Sequence, residues 1–388
     1  MRKYSLIFFI FLINIQIGHS VEGISLKLGA DNLSEILSAV RGKRVAVVVN
    51  QTSRLSNGVF LIDALLSSGV RVGKIFAPEH GFRGDAAAGA KIQDGKDSKT
   101  GLEVISLYGK NYKPQLSQLE GVDAVVFDIQ DVGARFYTYI STLHYVMEAC
   151  AEKGVEVIVL DRPNPNDVVD GPVLDVKYRS FVGMHPIPVL YGLTVAELAS
   201  MINGEGWLRG GVRCKLKWVL MSGWKHGQAY SLPVKPSPNL PNDQSIRLYP
   251  SLCFFEATKV SVGRGTLFPF QVVGFPDSKF GQFSFVPKAL PGFDPNPLQK
   301  DKLCYGIDLR KAKQPSGLNL EWLIRFYNLS GQRAAFFSSP EFIDKLAGSD
   351  LLRKQIVEGK TAGEIRKSWL PDLNKYRILR KKYLLYGE

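Results

Sequence analysis

Carboxylates, amides, tyrosines and arginines follow several apolar runs of this chain, at the points where those runs end. Glu79 and His80 come just after a run that ends at Ala77, and Asp128 directly follows Phe127. The other polar candidates near such ends are Gln130, Asp131, Arg135, Tyr137, Tyr139, Asp161, Arg162 and Asn164. Two carboxylates in one cleft can divide acid–base work, since one donates a proton while the other accepts a proton or attacks as a nucleophile.

The apolar runs themselves predict a parallel sheet. Helical patterns such as GVFLIDALLSSG and ISTLHYVMEACAEKG separate several of them. Near-continuous apolar strands with helical crossovers are typical of a sheet that is covered on both faces. Ligands bind such sheets outside the carboxyl ends of the strands, so the polar candidates should meet at one cleft. The runs predicted as strands are KRVAVVVN, VRVGKIFAP, LEVISLYG, DAVVFDIQ and VEVIVLDRP.

A chain of 388 residues is too long for one ordinary core, so two domains are expected. The predicted fold class is α/β, with a Rossmann-like parallel-sheet domain over residues 21–232. A smaller α+β C-terminal domain is predicted over residues 240–388. The proline-rich stretch LPVKPSPNLPND lies at the junction of the two.

Three further candidates come from the junction and the second domain. Asn239 lies in the proline-rich stretch and is a candidate for the rim of the cleft. Glu256 and Arg264 lie early in the second domain. Arg264 sits between two glycines, where a backbone without side chains can approach a ligand closely.

The N-terminus has the three-part pattern of a secretory signal peptide. In MRKYSLIFFIFLINIQIGHS two basic residues precede an apolar stretch that ends in Gly18, His19 and Ser20. We therefore expect a signal peptide over residues 1–20, a mature chain without a stable membrane anchor, and export to the periplasm or the medium. The formal net charge of +13 favours a solvated basic surface or an acidic polymeric ligand, and export argues against nucleic acid.

Several cofactor and nucleophile motifs are absent from the sequence. No G-x-G-x-x-G follows the first strand, and there is no Walker A, H-E-x-x-H or G-x-S-x-G motif. The four cysteines, Cys150, Cys214, Cys253 and Cys304, form no C-x-x-C pair. No cofactor is therefore predicted. The remaining mixture of carboxylates, amides, arginines and tyrosines suits sugar chemistry.

Four longer stretches can be compared with known families. In chain order they are APEHGFRGDAAAGAKI, DIQDVGARFYTYISTL, LDRPNP and FFEATKVSVGRGTLFPFQVVGFP. Together they resemble the exo-β-N-acetylmuramidase family, peptidoglycan hydrolases of cell-wall recycling that form glycoside hydrolase family 171, formerly a domain of unknown function. The resemblance spans roughly Leu26 to Tyr386. It implies an active site between the two domains and release of N-acetylmuramic acid from the non-reducing end of peptidoglycan fragments (MurNAc-GlcNAc glycans), without a cofactor.

The candidate residues are assigned roles in this reaction by their positions and their chemistry, and the resemblance supports the role of Glu79 most. Glu79 is predicted as the general acid and Asp128 as the second carboxylate, with Asp131 as an alternate that could instead cap the next helix. Arg135, with Arg264 as a second cation, is predicted to bind the lactyl carboxylate that distinguishes muramic acid from glucosamine. The alternative for Arg135 is a salt bridge to one of the two aspartates. The remaining predicted substrate-binding residues are His80, Gln130, Tyr137, Tyr139, Asp161, Arg162, Asn164, Asn239 and Glu256.

Two other kinds of function stay open at this point. A metal-dependent carbohydrate esterase or deacetylase would use Glu79, His80 and Asp128 around a metal ion. A non-catalytic cell-wall-binding protein would only hold peptidoglycan fragments in the cleft. The choice between a retaining and an inverting glycosidase depends on the separation of the two carboxylates, which the sequence does not contain.

Overall fold

The computed structural model describes residues 25–79, 81–82, 95–291 and 294–387. The predicted signal peptide lies outside these residues and stays a prediction. Among the helices of the described ranges, none is both long and apolar enough to cross a lipid bilayer.

Strands occur in both parts of the chain. Those of the described residues are β1 (Arg44–Val49), β2 (Arg71–Ala77), β3 (Gly95–Lys96), β4 (Glu103–Ser106), β5 (Ala124–Asp128), β6 (Glu156–Leu160), β7 (Val169–Val173), β8 (Pro188–Tyr191), β9 (Lys215–Val219), β10 (Val272–Phe275), β11 (Phe283–Phe285) and β12 (Cys304–Asp308). Seven of them form one sheet in the order β3-β4-β2-β1-β5-β6-β9. All neighbours in this sheet are parallel except the short edge strand β3, which runs antiparallel to β4.

The α-helices of the described residues are α1 (Leu33–Ala39), α2 (Leu61–Ser67), α3 (Tyr139–Lys153), α4 (Val195–Gly204), α5 (Asp243–Leu252), α6 (Glu321–Ser330), α7 (Pro340–Ala347), α8 (Leu351–Val357) and α9 (Ala362–Arg380). Among them, α4, α5 and α9 begin at a residue whose side chain caps the helix. At the start of α4, the Thr194 backbone N–H donates to Glu197 Oε2 (2.9 Å), and the Thr194 hydroxyl accepts from the Glu197 N–H. Such reciprocal bonds satisfy N–H groups that have no partner within a helix.

The sheet is covered on both faces, which explains its near-continuous apolar runs. Along β1, Val45, Val47 and Val49 pack on the side of α1 and α2. Ala46 and Val48 point to the opposite side, into the core shared with α3 and α4. The predicted Rossmann-like α/β domain is therefore confirmed, with all five predicted runs present as strands.

The order of strands in the sheet reverses between β1 and β5. After β1 the chain adds β2 and then β4 on one side of β1, and it then crosses to the other side to add β5 and then β6. The carboxyl ends of β1 and β5 therefore meet at a topological switch point, where open α/β sheets bind their ligands. The edge strand β9 and the antiparallel pair β7–β8 complete this part of the chain and were not predicted.

The second part of the chain is α+β, as expected, with a three-stranded antiparallel sheet in the order β10-β12-β11 followed by helices. Its last helix returns to the first part, because α9 packs against β7. The Tyr376 hydroxyl donates to the Tyr191 carbonyl (2.6 Å), and Arg380 Nε donates to the Gly192 carbonyl (2.6 Å). The exact domain boundaries at residues 232 and 240 stay a prediction.

Candidate active site

A cleft of about 600 Å³ opens between the carboxyl end of the sheet and the second part of the chain. We refer to it as the cleft. Three carboxylates, one arginine and two asparagines lie in its described lining, together with several aromatic rings. The polar side chains of this lining include Glu79, Thr138, Asn239, Glu256 and Arg264.

Glu79 stands two residues beyond β2 and lines the cleft, as predicted. The hydroxyl of Thr138, the residue that precedes α3, donates to Glu79 Oε2 at 2.8 Å. The Tyr108 hydroxyl bonds to the same carboxylate. Burial, and then the charge and hydrogen bond of Glu79, raise the pKa of Tyr108 well above its usual value. Glu79, in the turn after β2, is therefore hydrogen-bonded both to the residue before α3 and to a residue just after β4.

Glu256 and Arg264 form an ion pair on the opposite part of the lining. Arg264 Nη2 lies 2.5 Å and Arg264 Nε lies 2.7 Å from Glu256 Oε1, and both side chains are 22% exposed. The guanidinium also lies over the Phe270 ring, 5.1 Å from its centroid. Glycine is required on both sides of Arg264, because Gly263 and Gly265 have φ angles of +79° and +77°.

The proline-rich junction contributes a tight turn, from Ser237 to Leu240, to the lining of the cleft. The preceding carbonyl, that of Pro236, accepts hydrogen bonds from the Tyr137 hydroxyl (2.9 Å), the Tyr139 hydroxyl (3.1 Å) and Gln51 Nε2 (3.0 Å). The two tyrosine rings meet edge to face at 4.9 Å. Tyr137 lines the cleft, but both hydroxyl groups are directed at the junction, so the tyrosines position the turn that carries Asn239.

Asp128 lies at the end of β5 but outside the cleft, which corrects its predicted role as the second carboxylate. It is fully buried, and Arg162 holds both of its oxygens, with Nε 2.5 Å from Oδ1 and Nη2 2.9 Å from Oδ2. Burial raises the pKa of Asp128, while the charge of Arg162 opposes the shift. Arg162 also donates to the Arg54 carbonyl (2.9 Å), so its predicted contact with substrate is wrong as well.

Asp131 and its neighbour are likewise built into the interior. The Tyr191 hydroxyl (2.5 Å) and the Gly133 N–H (2.7 Å) both donate to Asp131 Oδ2. Burial raises the pKa of Asp131 to about 7, against the opposing hydrogen bond from Tyr191. Gln130 Nε2 donates to the carbonyls of Asp131 (2.9 Å) and Pro163 (2.7 Å). Neither side chain lines the cleft among its described residues.

The polar residues after β6 serve the packing of the first part of the chain. Asp161 accepts from the Ala196 N–H (2.9 Å) and the Tyr386 hydroxyl (2.7 Å), and burial raises its pKa to about 6. Asn164 Nδ2 donates to the Leu193 carbonyl at 3.0 Å. Asp161 and Asn164 are therefore structural residues, and their predicted contact with substrate is corrected.

Arg135 is fully buried and does not reach the cleft, so its predicted role in binding a ligand carboxylate is wrong. Its guanidinium donates to three backbone carbonyls, those of Pro172 (2.8 Å), Ile187 (2.6 Å) and Leu346 (2.8 Å). Burial lowers the pKa of Arg135 to about 9. The alternative of a salt bridge to a neighbouring aspartate is wrong too, because the carbonyls take that place.

The structure therefore brings together Glu79, Tyr137, Asn239, Glu256 and Arg264 from the predicted set, and His80 lies outside the described residues. It adds an aromatic group that was not predicted: Tyr108, Tyr112 and Phe181 line the cleft beside Glu79. The Tyr112 and Phe181 rings lie 4.0 Å apart between centroids. The sequence could have predicted Tyr108 as a cleft residue, because it comes two residues after the end of β4, just as Glu79 comes two residues after the end of β2.

Asp128, one of the donors expected for a metal-dependent esterase, has both of its oxygens held by Arg162, and His80 lies outside the described residues. Over the described ranges, no group of three histidine, cysteine, aspartate or glutamate side chains is placed to hold a metal ion.

Two glutamates from different parts of the chain, aromatic walls and a cation in one open cleft define a glycoside hydrolase on a Rossmann-like fold. The family models for the N-terminal and C-terminal parts of the exo-β-N-acetylmuramidase NamZ match residues 45–244 and 247–386. The chain belongs to this family.

Relatives and solved structures agree with this assignment. The peptidoglycan β-N-acetylmuramidase NamZ of Bacillus subtilis (strain 168) is 37% identical over 383 residues, which covers 93% of this chain and 91% of the relative. A DUF1343 family protein from Bacteroides fragilis has a TM-score of 0.86 at 42% identity, over 94% of this chain and 99% of that one. A second one has a TM-score of 0.79 at 31% identity, over 93% and 99%.

Proposed function

We propose that this glycoside hydrolase releases N-acetylmuramic acid from the non-reducing end of peptidoglycan fragments, with Glu79 and Glu256 as its two carboxylates. The observation that carries the proposal is the placement of these two glutamates in one cleft, one after β2 and one from the second part of the chain. The predicted aspartates are buried away from it, so Glu256 takes the place that Asp128 was expected to have.

Glu79 is the proposed general acid. A carboxyl group that donates to a leaving oxygen must be held in one orientation at the cleft wall, and Thr138 and Tyr108 hold Glu79 in this way. Glycosidic bond cleavage then needs a second carboxylate, which activates water or forms a covalent bond with the sugar. Glu256 fits this role, with Arg264 beside it to orient the carboxylate.

Arg264 is the proposed partner of the lactyl carboxylate, in place of Arg135. It is the one cationic side chain in the described lining of the cleft. Its planar guanidinium can hold Glu256 on one edge and a ligand carboxylate on another, because it offers five N–H donors. The rings of Tyr108, Tyr112 and Phe181 provide flat apolar surface on which a sugar can lie.

The protein acts outside the cytoplasm in this proposal, where peptidoglycan is found. The support is the predicted signal peptide of residues 1–20. N-terminal sequencing of the exported protein should give a chain that begins near Val21. A first residue of Met1 in exported protein would reject cleavage.

The function itself is tested with defined disaccharides. The enzyme should release free N-acetylmuramic acid from MurNAc-GlcNAc and leave GlcNAc-MurNAc intact, since an exo-acting enzyme reads the non-reducing end. Loss of acetate without cleavage, abolished by a chelator, would instead indicate a metal-dependent deacetylase. Binding of both disaccharides without any product would indicate a non-catalytic protein.

A further inference from the structure

Asn239 has an unusual position in the wall of the cleft. Its side chain is 2% exposed, and neither Oδ1 nor Nδ2 has a hydrogen-bond partner among the described residues. Other buried polar atoms also lack partners, such as His185 Nδ1 and Trp369 Nε1, but these residues do not line the cleft. Asn239 combines the two properties, with a complete amide left unpaired at the site of the chemistry.

An unpaired amide in the interior is unfavourable. Each buried polar group without a partner costs roughly 1–3 kcal/mol, so folded proteins keep few of them. The backbone around Asn239 is not free to relieve this cost by moving, because Tyr137, Tyr139 and Gln51 all donate to the carbonyl of Pro236, three residues earlier. An amide that has no partner among the described residues and lies on a fixed turn is suited to a partner that arrives with the substrate.

The chemistry of an amide selects that partner. One edge of Asn239 offers an acceptor and a donor side by side, and a second amide matches both at once. A carboxylate would satisfy only the donor. The acetamido group at C2 of the sugar has the matching N–H and C=O, and its methyl group can lie against Leu240, Val262 and Phe270 in the same lining.

We infer that Asn239 recognises the 2-acetamido group of the sugar in the cleft. When the sugar enters, the side chain turns towards it and exchanges an unpaired buried amide for an amide–amide pair. Asn239 is then a specificity-determining residue rather than a catalytic one. The inference rests on the proposed function, which supplies the identity of the sugar.

The first test crosses two variants with two substrates. Asn239→Leu removes both hydrogen-bonding atoms, and Asn239→Asp keeps an acceptor but loses the donor. We expect kcat/KM on an aryl N-acetylmuramoside to fall about tenfold to a hundredfold, the range for one or two hydrogen bonds left unmade. On the corresponding 2-amino muramoside, which has no acetyl group, the fall should be under about threefold, because Asn239 has no matching partner there.

The outcomes of this experiment are distinct. Equal losses on both substrates would overturn the inference and mean that Asn239 only shapes the turn, and unchanged activity on the acetylated substrate would overturn it too. If the wild-type enzyme cleaves neither muramoside, the proposed function fails. In that case N-acetylmuramic acid still tests the inference, since it should raise the Tm of the wild type and not that of Asn239→Leu.

A second test uses stability and a matched asparagine. Asn166 is also buried, but its Nδ2 donates to the carbonyls of Val132 (2.8 Å) and Ile246 (3.0 Å). Without ligand, Asn239→Leu should have a Tm equal to or above that of the wild type, because an unpaired amide is replaced by an apolar group. Asn166→Leu should lower the Tm, because two carbonyls lose their donor. A comparable fall in the Tm of Asn239→Leu would show that Asn239 has a structural role and would contradict the inference.

Discussion

Two groups of polar residues lie near the same edge of the sheet and differ in where their hydrogen bonds go. In the first group, which we call the buried group, Asp128, Asp131 and Arg135 are bonded to partners inside the protein. In the second, the cleft group, Glu79 and Glu256 stand at the wall of an open cavity. Both groups contain acids, and Glu79, Asp128 and Asp131 all stand at or just after the end of an apolar strand.

The difference shows that polarity at a strand end is not sufficient evidence for chemistry. A charge that is removed from water needs internal partners, so the buried group pairs acid with arginine and arginine with carbonyls. A group that reacts must stay within reach of the substrate. Glu256 of the cleft group keeps that access, since its side chain is 22% exposed.

Glu79→Gln is the substitution with the largest expected effect on activity. The variant should fold normally and lose about a hundredfold or more of its activity on a natural disaccharide, because an amide cannot donate the proton of a general acid. The loss should be smaller for an aryl glycoside, whose leaving group needs little protonation. Glu103→Gln, at a β4 side chain that is 58% exposed, is the matched control and should be fully active. Normal turnover of the disaccharide by Glu79→Gln would remove Glu79 as the acid.

The identity of the second carboxylate is tested by comparing a substitution at Glu256 with one at Asp128. Glu256→Gln should reduce kcat by about a hundredfold and cost much less stability than the loss of Asp128, since its ion pair with Arg264 is partly exposed. Asp128→Asn should destabilise the protein by roughly 3–5 kcal/mol, because it leaves Arg162 as a buried charge without its partner. Urea unfolding and steady-state kinetics measure both effects.

Asp308→Asn is a control for the ion pair itself. Asp308 also holds Arg310 with two bonds, of 2.9 Å and 2.7 Å, but its side chain is 34% exposed. Its loss should cost about 1 kcal/mol or less, since water screens an exposed pair. A stable but inactive Asp128→Asn protein would return Asp128 to the active site.

Substitutions at two arginines distinguish a role in substrate recognition from a role in stability. Arg264→Ala should reduce the preference for muramosides over glucosaminides by about tenfold to a hundredfold, the effect of one charge-assisted hydrogen bond to the lactyl group. Arg135→Ala should lower the Tm and leave that preference unchanged, because Arg135 serves three carbonyls away from the cleft. A changed preference in Arg135→Ala would contradict this division.

A smaller expected effect is a dependence of the free energy of unfolding on pH, through the buried residue His226. Burial alone would lower the pKa of His226, but its hydrogen bonds to Asp167 and Glu197, both 3.0 Å, raise it from 6.5 to about 9. A raised pKa favours the folded state while the protein is below pH 6.5, and this contribution is lost as the pH rises through about 9.

The check compares wild type with His226→Gln in urea unfolding at pH 6 and at pH 9.5. Arg380 also faces the imidazole, with its Nη2 3.3 Å from His226 Nδ1. The stability difference between the two proteins should shrink by about 1–3 kcal/mol on going to high pH. A constant difference would mean that His226 is not charged in the folded protein.

The sequence predicted the sheet well, because strands buried on both faces leave a near-continuous apolar signature. It also placed Glu79, Asn239, Glu256 and Arg264, each carried by a motif or a junction. It could not separate Asp128 from Glu79, since both follow a strand end, and only the position of Arg162 in space decides between them. Spacing along the chain does not show which acid meets an arginine from another strand.

The return of α9 to the first part of the chain has a consequence for the order of synthesis. Arg366 Nη1 lies 2.6 Å from Asp170 Oδ2, and the Tyr386 hydroxyl donates to Asp161 Oδ2. These partners are made 196 and 225 residues after the acids that they contact. The first part of the chain therefore lacks both partners when it is synthesised, and neither part, expressed alone, would retain these contacts.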